Sequence, residues 1–302
     1  MNVLSLFDGM SCGQIALERA GIPVETYYAS EIDKYAIQVT QSNYPNTIQL
    51  GDINNWMDWG INFEEIDLIL AGSPCQGFSY AGKHLDFNDS RSRLFFRFRD
   101  ILQRVQGVNP FIKFLLENVR MKKESEEVIS RTLKESFVLI NSSLVSAQNR
   151  QRLYWFNWDV PPIVDRDISL SDIIEDGCTD RQKDFCLDAN YFKGGNVHQY
   201  FNKSGRQLIF KNPCILQTAR GNNKGGIRGH TSEKVPCLSS SSWQYNNKLV
   251  YNKGIRKLTP IECERLQTVP DNYTNYVSNS QRYKMLGNGW TVDVISHLLE
   301  YM

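Results

Sequence analysis

The sequence contains no apolar run approaching the ~18 residues that span a bilayer, and no Cys-x-x-Cys pair. The first absence excludes a membrane-spanning helix read from hydropathy. The second, with an odd total of seven cysteines, argues against both a disulfide framework and a structural zinc site. Histidine is scarce: His84, His198, His230 and His297 are the only four, none spaced from another as metal ligands would be, so nothing supports a metal. An excess of one charge is also missing, since the formal net charge is +1 over 302 residues. The 41% apolar and 22% charged content is that of a globular chain long enough for one large domain, or for a catalytic domain with a smaller one. The chain enters strand-like Val3–Phe7 at once, so a cytosolic or nucleoplasmic protein without a cleaved leader is expected.

The distribution of charge is more telling than its sum. From Lys193 to Lys257 there are twelve Lys and Arg against the single acid Glu233, or +11, which leaves −10 for the remainder. Such asymmetry is a footprint for a polyanion, because clustered cations neutralise phosphates and release counterions; a solvated basic face would give the same count.

Up to about residue 158, short apolar runs alternate with helical patterns, the signature of βαβ units around a mostly parallel sheet. Strands are predicted at Val3–Phe7, Glu25–Ala29, Ile48–Leu50, Ile66–Ala71, Ile112–Glu117, Phe137–Val145 and Arg152–Asn157, and helices at Gly13–Ala20, Lys34–Asn43, Arg91–Gln106 and Ser125–Glu135. The fold class is therefore α/β, a doubly wound sheet. After Pro161-Pro162 the pattern degrades into Gly-, Asn- and Ser-rich segments with aromatics, read as a small, irregular second module. Order returns with Thr259-Pro260 and an acid three residues after the cap, and ends in a helix over Val292–Tyr301. The expected division is 1–160, 161–255 and 256–302, the last segment returning to the first.

Open α/β sheets do their chemistry at the C-terminal ends of their strands. The first strand here ends in Phe7-Asp8-Gly9, leading to Gly13; the second in Glu31-Ile32; the third in Asp52-Ile53. Acids and apolar side chains of this kind suit a nucleoside, with Glu31 on sugar hydroxyls, Asp52 on a base amino group, and Ile32 and Ile53 against the purine. The spacing is not Gly-x-Gly-x-x-Gly, which disfavours a dinucleotide phosphate site. The fourth strand empties into Gly72-Ser73-Pro74-Cys75-Gln76, the fifth ends in Glu117-Asn118-Val119, and Gln148-Asn149-Arg150-Gln151-Arg152 precedes the last. Guanidinium groups near Cys75 would favour its thiolate, although Glu117 and Arg152 could equally form a structural ion pair.

In order and spacing, Pro74-Cys75-Gln76, Glu117-Asn118-Val119, Gln148-x-Arg150-x-Arg152 and Gly287-Asn288-Gly289-Trp290 make the chain resemble the DNA (cytosine-5)-methyltransferases from end to end. Leu6-Phe7-Asp8-Gly9 and the stretch from Asn272 to Val292 are similar to the animal de novo enzymes; most bacterial members have two glycines where Ser11 and Cys12 stand. The resemblance implies a class I S-adenosylmethionine-dependent fold with a smaller target-recognition domain. S-adenosylmethionine would be held by Phe7, Asp8, Gly9, Gly13, Glu31, Ile32, Asp52, Ile53, Pro74, Leu94, Asn288 and Trp290. Cys75 would add to C6 of a flipped cytosine, Glu117 would hold N3 and the amino group, Arg152 would bind O2, and Arg150 would support nearby charges. Double-stranded DNA would meet Gln76, Ser79, Lys83, Arg91, Gln148, Arg220, Lys224 and Arg228.

By the same resemblance the protein is expected to be a monomeric bacterial or phage modification enzyme without membrane contact. It would act in the cytoplasm, at the nucleoid or in a host cell, with a cognate restriction endonuclease as a candidate companion. Two other readings stand beside this one, a catalytically inactive DNA- or partner-binding regulator and a tRNA cytosine-5 methyltransferase. The Cys-Phe-Thr tripeptide that marks the tRNA relatives is absent here.

Overall fold

The structure, a computed structural model of the chain, describes residues 1–73, 93–194, 200, 206–210, 213–218, 227–230, 248–251 and 255–302. Its centre is a seven-stranded sheet of β1 (Asn2–Leu6), β2 (Thr26–Ser30), β3 (Ile48–Gln49), β4 (Leu68–Gly72), β5 (Lys113–Val119), β6 (Phe137–Asn141) and β7 (Gln151–Phe156), in the order β3-β2-β1-β4-β5-β7-β6. The strands up to β5 run parallel, and β7 lies antiparallel to both β5 and β6. This is the doubly wound, mixed sheet of the class I fold.

Alternation along each strand divides the apolar side chains between two faces. Val3, Leu68, Leu70, Leu115, Tyr154 and Phe156 enter one core, with Ile15, Ala16 and Leu17 of helix α1 (Cys12–Arg19) and a C-terminal helix described below. Leu4, Leu6, Ile69, Ala71, Phe114, Leu116, Leu153 and Trp155 enter the other. There they meet Phe95, Phe98 and Ile101 of α3 (Arg93–Gln106) and Ile129 and Leu133 of α4 (Lys123–Leu133). Both faces are covered, which is why the central strands read as unbroken apolar runs. Each fully buried Leu, Ile or Phe contributes roughly 1.5–3 kcal/mol. Helix α2 (Lys34–Asn43), opened by Asp33 accepting from the Tyr35 amide, links β2 to β3.

Sequence expectation and structure diverge at two places. The run Phe137–Val145 is not one strand: it breaks after Asn141 because the Asn141 side chain accepts from the amides of Ser143 and Arg150, which turns the chain back into β7. A second departure is a helix that hydropathy did not mark, between Asn279 and Asn288.

Beyond the sheet the chain forms α5 (Leu170–Ile173), then β8 (Leu208–Phe210), β9 (Pro213–Thr218), β10 (Ile227–His230), β11 (Lys248–Tyr251) and β12 (Ile255–Lys257). β9 pairs antiparallel with β10 and β11, and β8 with β12. The return from this segment is tied by Glu262, which is fully buried and sits in α6 (Pro260–Leu266). It accepts from both Arg256 terminal nitrogens at 2.7 and 2.8 Å and from the Glu175 and Thr259 amides at 2.8 Å, while Thr259 Oγ1 accepts from the Glu262 amide, closing the capping box expected from the sequence.

Two residues on, Glu264 is also fully buried. Its carboxylate accepts from the amides of Asn272 and Thr274, from the Thr274 hydroxyl, and from Arg282 of α7 (Asn279–Asn288) at 2.9 Å. Helix α8 (Val292–Leu299), shorter than its expected end at Tyr301, closes the chain against α1. Removing one partner of a buried ion pair strands the other in a medium of low dielectric. Glu264→Ala is therefore expected to lower the unfolding free energy by about 3–5 kcal/mol in urea titration, whereas the exposed Lys123–Glu127 pair should cost less than about 0.5 kcal/mol when broken.

Candidate active site

Parallel register places the ends of four strands in one row. Ser30, Leu6, Ala71 and Leu116 are neighbours across β2, β1, β4 and β5, so the residues that follow, Glu31, Phe7, Gly72 and Glu117, emerge together on one rim. Above that rim lies a cleft of about 410 Å³ lined by Phe7, Asp8, Gly9, Glu31, Glu117, Arg150, Arg152, Asn288 and Trp290 among others. Its size is that of a site for a small molecule with room for a second reacting group.

The loop after β1 is held under strain. Phe7 and Ser11 have φ of 60° and 62°, the left-handed region that side chains avoid, and Gly9 between them has 61°. Polar contacts stabilise the turn: Ser11 Oγ and the Tyr27 hydroxyl donate to the two Asp8 oxygens at 2.6 and 2.8 Å, the Gly9 amide donates to Glu31 at 2.8 Å, and the Tyr273 hydroxyl donates to the Met10 carbonyl at 2.7 Å. Where a glycine would adopt this φ freely, Ser11 offsets its strain with the bond to Asp8. Burial pushes the Asp8 carboxyl up to about 6, against the Ser11 and Tyr27 bonds that favour its ionised form.

Glu31 accepts from the Gly9, Ile32 and Asp33 amides, occupying three of the about four lone-pair sites of a carboxylate and leaving one for a hydroxyl. Asp52 accepts from Asn54 through Oδ1 only, which leaves Oδ2 for an amino group. Together with the acidic Asp8, this set fits an adenosine-bearing cation such as S-adenosylmethionine.

On the other side of the cleft, Glu117 Oε1 receives Arg152 Nε at 3.0 Å and Oε2 receives the Trp290 indole N–H at 3.2 Å. Burial opposes the Arg152 charge, but the Glu117 carboxylate outweighs it and raises the guanidinium above its ordinary value. The Asn118 amide donates to Ser73 Oγ at 2.9 Å, tying the end of β5 to the end of β4.

Several expected site residues take other roles. Gln148 is fully buried; it donates to the Leu266 carbonyl and to Gln267, so it cannot reach DNA. Arg150 is buried too, and donates to the carbonyls of Leu187, Gly287 and Gly289 and to the Cys186 thiol; burial and the neighbouring Arg152 push it down from its ordinary value. It braces the cleft wall rather than presenting a charge to a reacting group. Gly13 packs inward, where a Cβ would lie 2.6 Å from the Tyr27 hydroxyl, so its role is helix packing. Ile53 and Leu94 join the core beneath, and neither Ile32, at 73% exposure, nor Asp52 lines the cleft.

Pro74, Cys75, Gln76, Ser79, Lys83, Arg91, Arg220 and Lys224 lie outside the described residues, and Arg228 is placed in β10 by its backbone alone. Among the described thiols, Cys12 and Cys263 are not rivals to Cys75: burial pushes Cys12 up to about 12 and Cys263 well above its ordinary value.

Three features had no signal in the sequence reading: the Tyr273 bond to the loop, the Lys284–Asp33 ion pair at 2.7 Å beside the cleft, and the reason for Gly287. A Cβ at Gly287 would fall 2.2–2.4 Å from the backbone of Asp188 and Ala189.

A family model described as C-5 cytosine-specific DNA methylase matches residues 1–302. The chain is 30% identical to the Type II methyltransferase M.NgoBI of Neisseria gonorrhoeae, over 97% of this chain and 90% of that one. It is 28% identical to M.NlaX of Neisseria lactamica, over 99% and 95%. Among solved structures, the Entamoeba histolytica methyltransferase EhMeth superposes with a TM-score of 0.66 at 16% identity, covering 100% of this chain and 97% of that one.

Protonation of Asp8 removes a negative charge from a cleft suited to a sulfonium and an ammonium. The affinity for S-adenosylmethionine, measured by titration calorimetry, should therefore be level above about pH 7 and fall below about pH 6, by up to about tenfold per pH unit. Asp8→Asn should bind more weakly at pH 8 and lose that slope.

Proposed function

The chain belongs to the C-5 cytosine-specific DNA methylase family, and from that premise we propose how its own residues divide the reaction between them. The protein is a DNA (cytosine-5)-methyltransferase: it uses S-adenosylmethionine to methylate C5 of cytosine in DNA. The cofactor supplies an electrophilic methyl group. Phe7, Asp8, Gly9 and Glu31 would hold it on the β1–β2 side of the cleft, Asp52 from beyond the cleft lining, and Asn288 and Trp290 opposite.

Cytosine C5 is a weak nucleophile, and while the base is stacked in the duplex neither C5 nor C6 can be reached, so the base must leave the stack. In the proposed sequence the Cys75 thiolate forms a bond to C6. As sulfur adds, N3 takes a proton through Glu117, which then accepts from the N3–H and the amino group while Arg152 donates to O2, so that the C5=C6 electron pair makes C5 enamine-like. C5 takes the methyl group; water removes the C5 proton, the double bond re-forms as the Cys75 sulfur leaves as thiolate, and N3 returns its proton to Glu117. Arg150 keeps the wall of the cleft in place through three backbone carbonyls.

The observation that carries this reading is the placement of Glu117, directly across from Gly72 in the β4–β5 register, three residues ahead of Cys75 and clamped by Arg152. Recognition of the target falls to the basic stretch from Lys193 to Lys257, whose +11 charge suits phosphates. Residues 1–160 and 256–302 then make the catalytic domain and 161–255 the recognition domain. The relatives are named Type II methyltransferases, which supports action on DNA; a cognate endonuclease as companion, the cytoplasm as the place and a monomer as the working unit belong to the same proposal. No helix among the described residues is long and apolar enough to cross a membrane.

Purified protein given labelled S-adenosylmethionine should transfer label to duplex DNA and not to tRNA, with 5-methylcytosine as the product. Cys75→Ala should lose about 10³-fold or more of the rate, and Glu117→Gln about 10²-fold or more. Equal incorporation by Cys75→Ala would sink the covalent route, and label in tRNA alone would overturn the substrate.

A further inference from the structure

The indole of Trp290 is buried between the end of β4, the first turn of α1 and the C-terminal part of β5. A Cβ on Gly72 would lie 2.8 Å from its Nε1, and one on Gly13 would lie 3.8 Å from the far edge of the ring; its N–H donates to Glu117. The backbone on either side is pinned. Arg150 donates to the Gly289 carbonyl at 2.9 Å, the Cys12 thiol donates to the Trp290 carbonyl, and Thr291 Oγ1 donates to Gln267 while accepting from Ser142. Few side chains are so fixed from both directions, and this one spends its only polar hydrogen on a carboxylate read above as the group that holds the cytosine.

A glutamate needs that second anchor for a physical reason. The terminal torsion of its carboxylate is broad and two-fold, so one ion pair sets where the group sits but not the plane in which it lies. Arg152 Nε pairs with Oε1 at 3.0 Å, and the Trp290 indole N–H donates to Oε2. Each oxygen then has one partner and keeps lone-pair capacity for one of the two donors of the base, the protonated N3 and the amino group. We propose that Trp290 is a positioning residue for the reaction: its indole N–H sets the plane of the Glu117 carboxylate, and Gly72 lacks a side chain so that the indole can reach it. This rests on the reading of Glu117 as the cytosine-holding residue. It adds to Trp290 a duty toward the base, distinct from any contact with the cofactor.

Trp290→Phe keeps a ring and removes the donor, and two measurements separate the possible roles. Single-turnover methyl transfer at saturating S-adenosylmethionine and DNA should slow about tenfold, the usual consequence of losing one hydrogen bond to a charged group. The dissociation constant for S-adenosylmethionine, read by calorimetry without DNA, should stay within about threefold. An unchanged single-turnover rate overturns the proposal, as does a weakened cofactor affinity whose effect disappears when S-adenosylmethionine is saturating. Should Trp290→Phe fail to show a cooperative thermal transition, Gly72→Ala displaces the indole from the other side and is judged by the same two criteria. Glu117→Gln assayed in parallel keeps the two readings apart. If it leaves the rate intact, the base-holding role fails; if it abolishes the rate while Trp290→Phe does not slow it, only the positioning role fails.

Discussion

The constraint on which the rest depends is the parallel register of β2, β1, β4 and β5. Once Ser30, Leu6, Ala71 and Leu116 are hydrogen-bonded neighbours, the residues that follow them have no choice of side: Glu31, Phe7, Gly72 and Glu117 must leave the sheet on the same edge. A slip of one residue in any pair would turn every apolar side chain on that strand to the opposite core. The two buried clusters, one on each face, therefore hold the site in place, and the first also lends it Met10, Cys12 and Trp290.

Around that edge the chain uses charges in two different ways. Structural carboxylates are fully buried and saturated with donors, as Glu262 is by Arg256 and two amides and Glu264 by Arg282, Thr274 and Asn272. Site carboxylates keep capacity in reserve. Glu31 and Asp52 each retain an open acceptor position, and Glu117 has one partner on each oxygen. The contrast separates groups that fasten the segment returning from the basic stretch from groups that await a ligand.

Arg150 and Trp290 show how far the C-terminal segment takes part. Arg150 leaves β7's approach to grip carbonyls at Gly287 and Gly289, and Trp290 follows directly to meet Glu117 on β5. Residues more than a hundred positions apart thus share one wall, and Gly287 admits the backbone of residues 188–189. Leu187, six residues before the basic stretch, touches the same wall through its carbonyl, so the segment leading into that stretch is tied to the cleft.

Periodicity and motif order were enough to read the alternating strands and helices, the doubly wound class, the capped helix at Thr259 and the family to which the chain belongs, because each is encoded by near neighbours or by residue types in sequence. That Phe7, Asp8, Glu31, Glu117 and Trp290 line one cleft could be expected for the same reason: they sit at strand ends or in short, ordered motifs. The fates of Gln148, Arg150, Gly13 and Ile53 were not legible, since a polar or glycine residue near a motif looks the same whether its partners are a ligand or distant backbone. Only the tertiary structure decided that Gln148 is buried against Leu266, that Asn141 breaks the sixth strand, and that an indole from residue 290 meets a carboxylate from residue 117. Those outcomes depend on which surfaces the packed sheet brings within about 3 Å, a property of the whole fold that no local pattern carries.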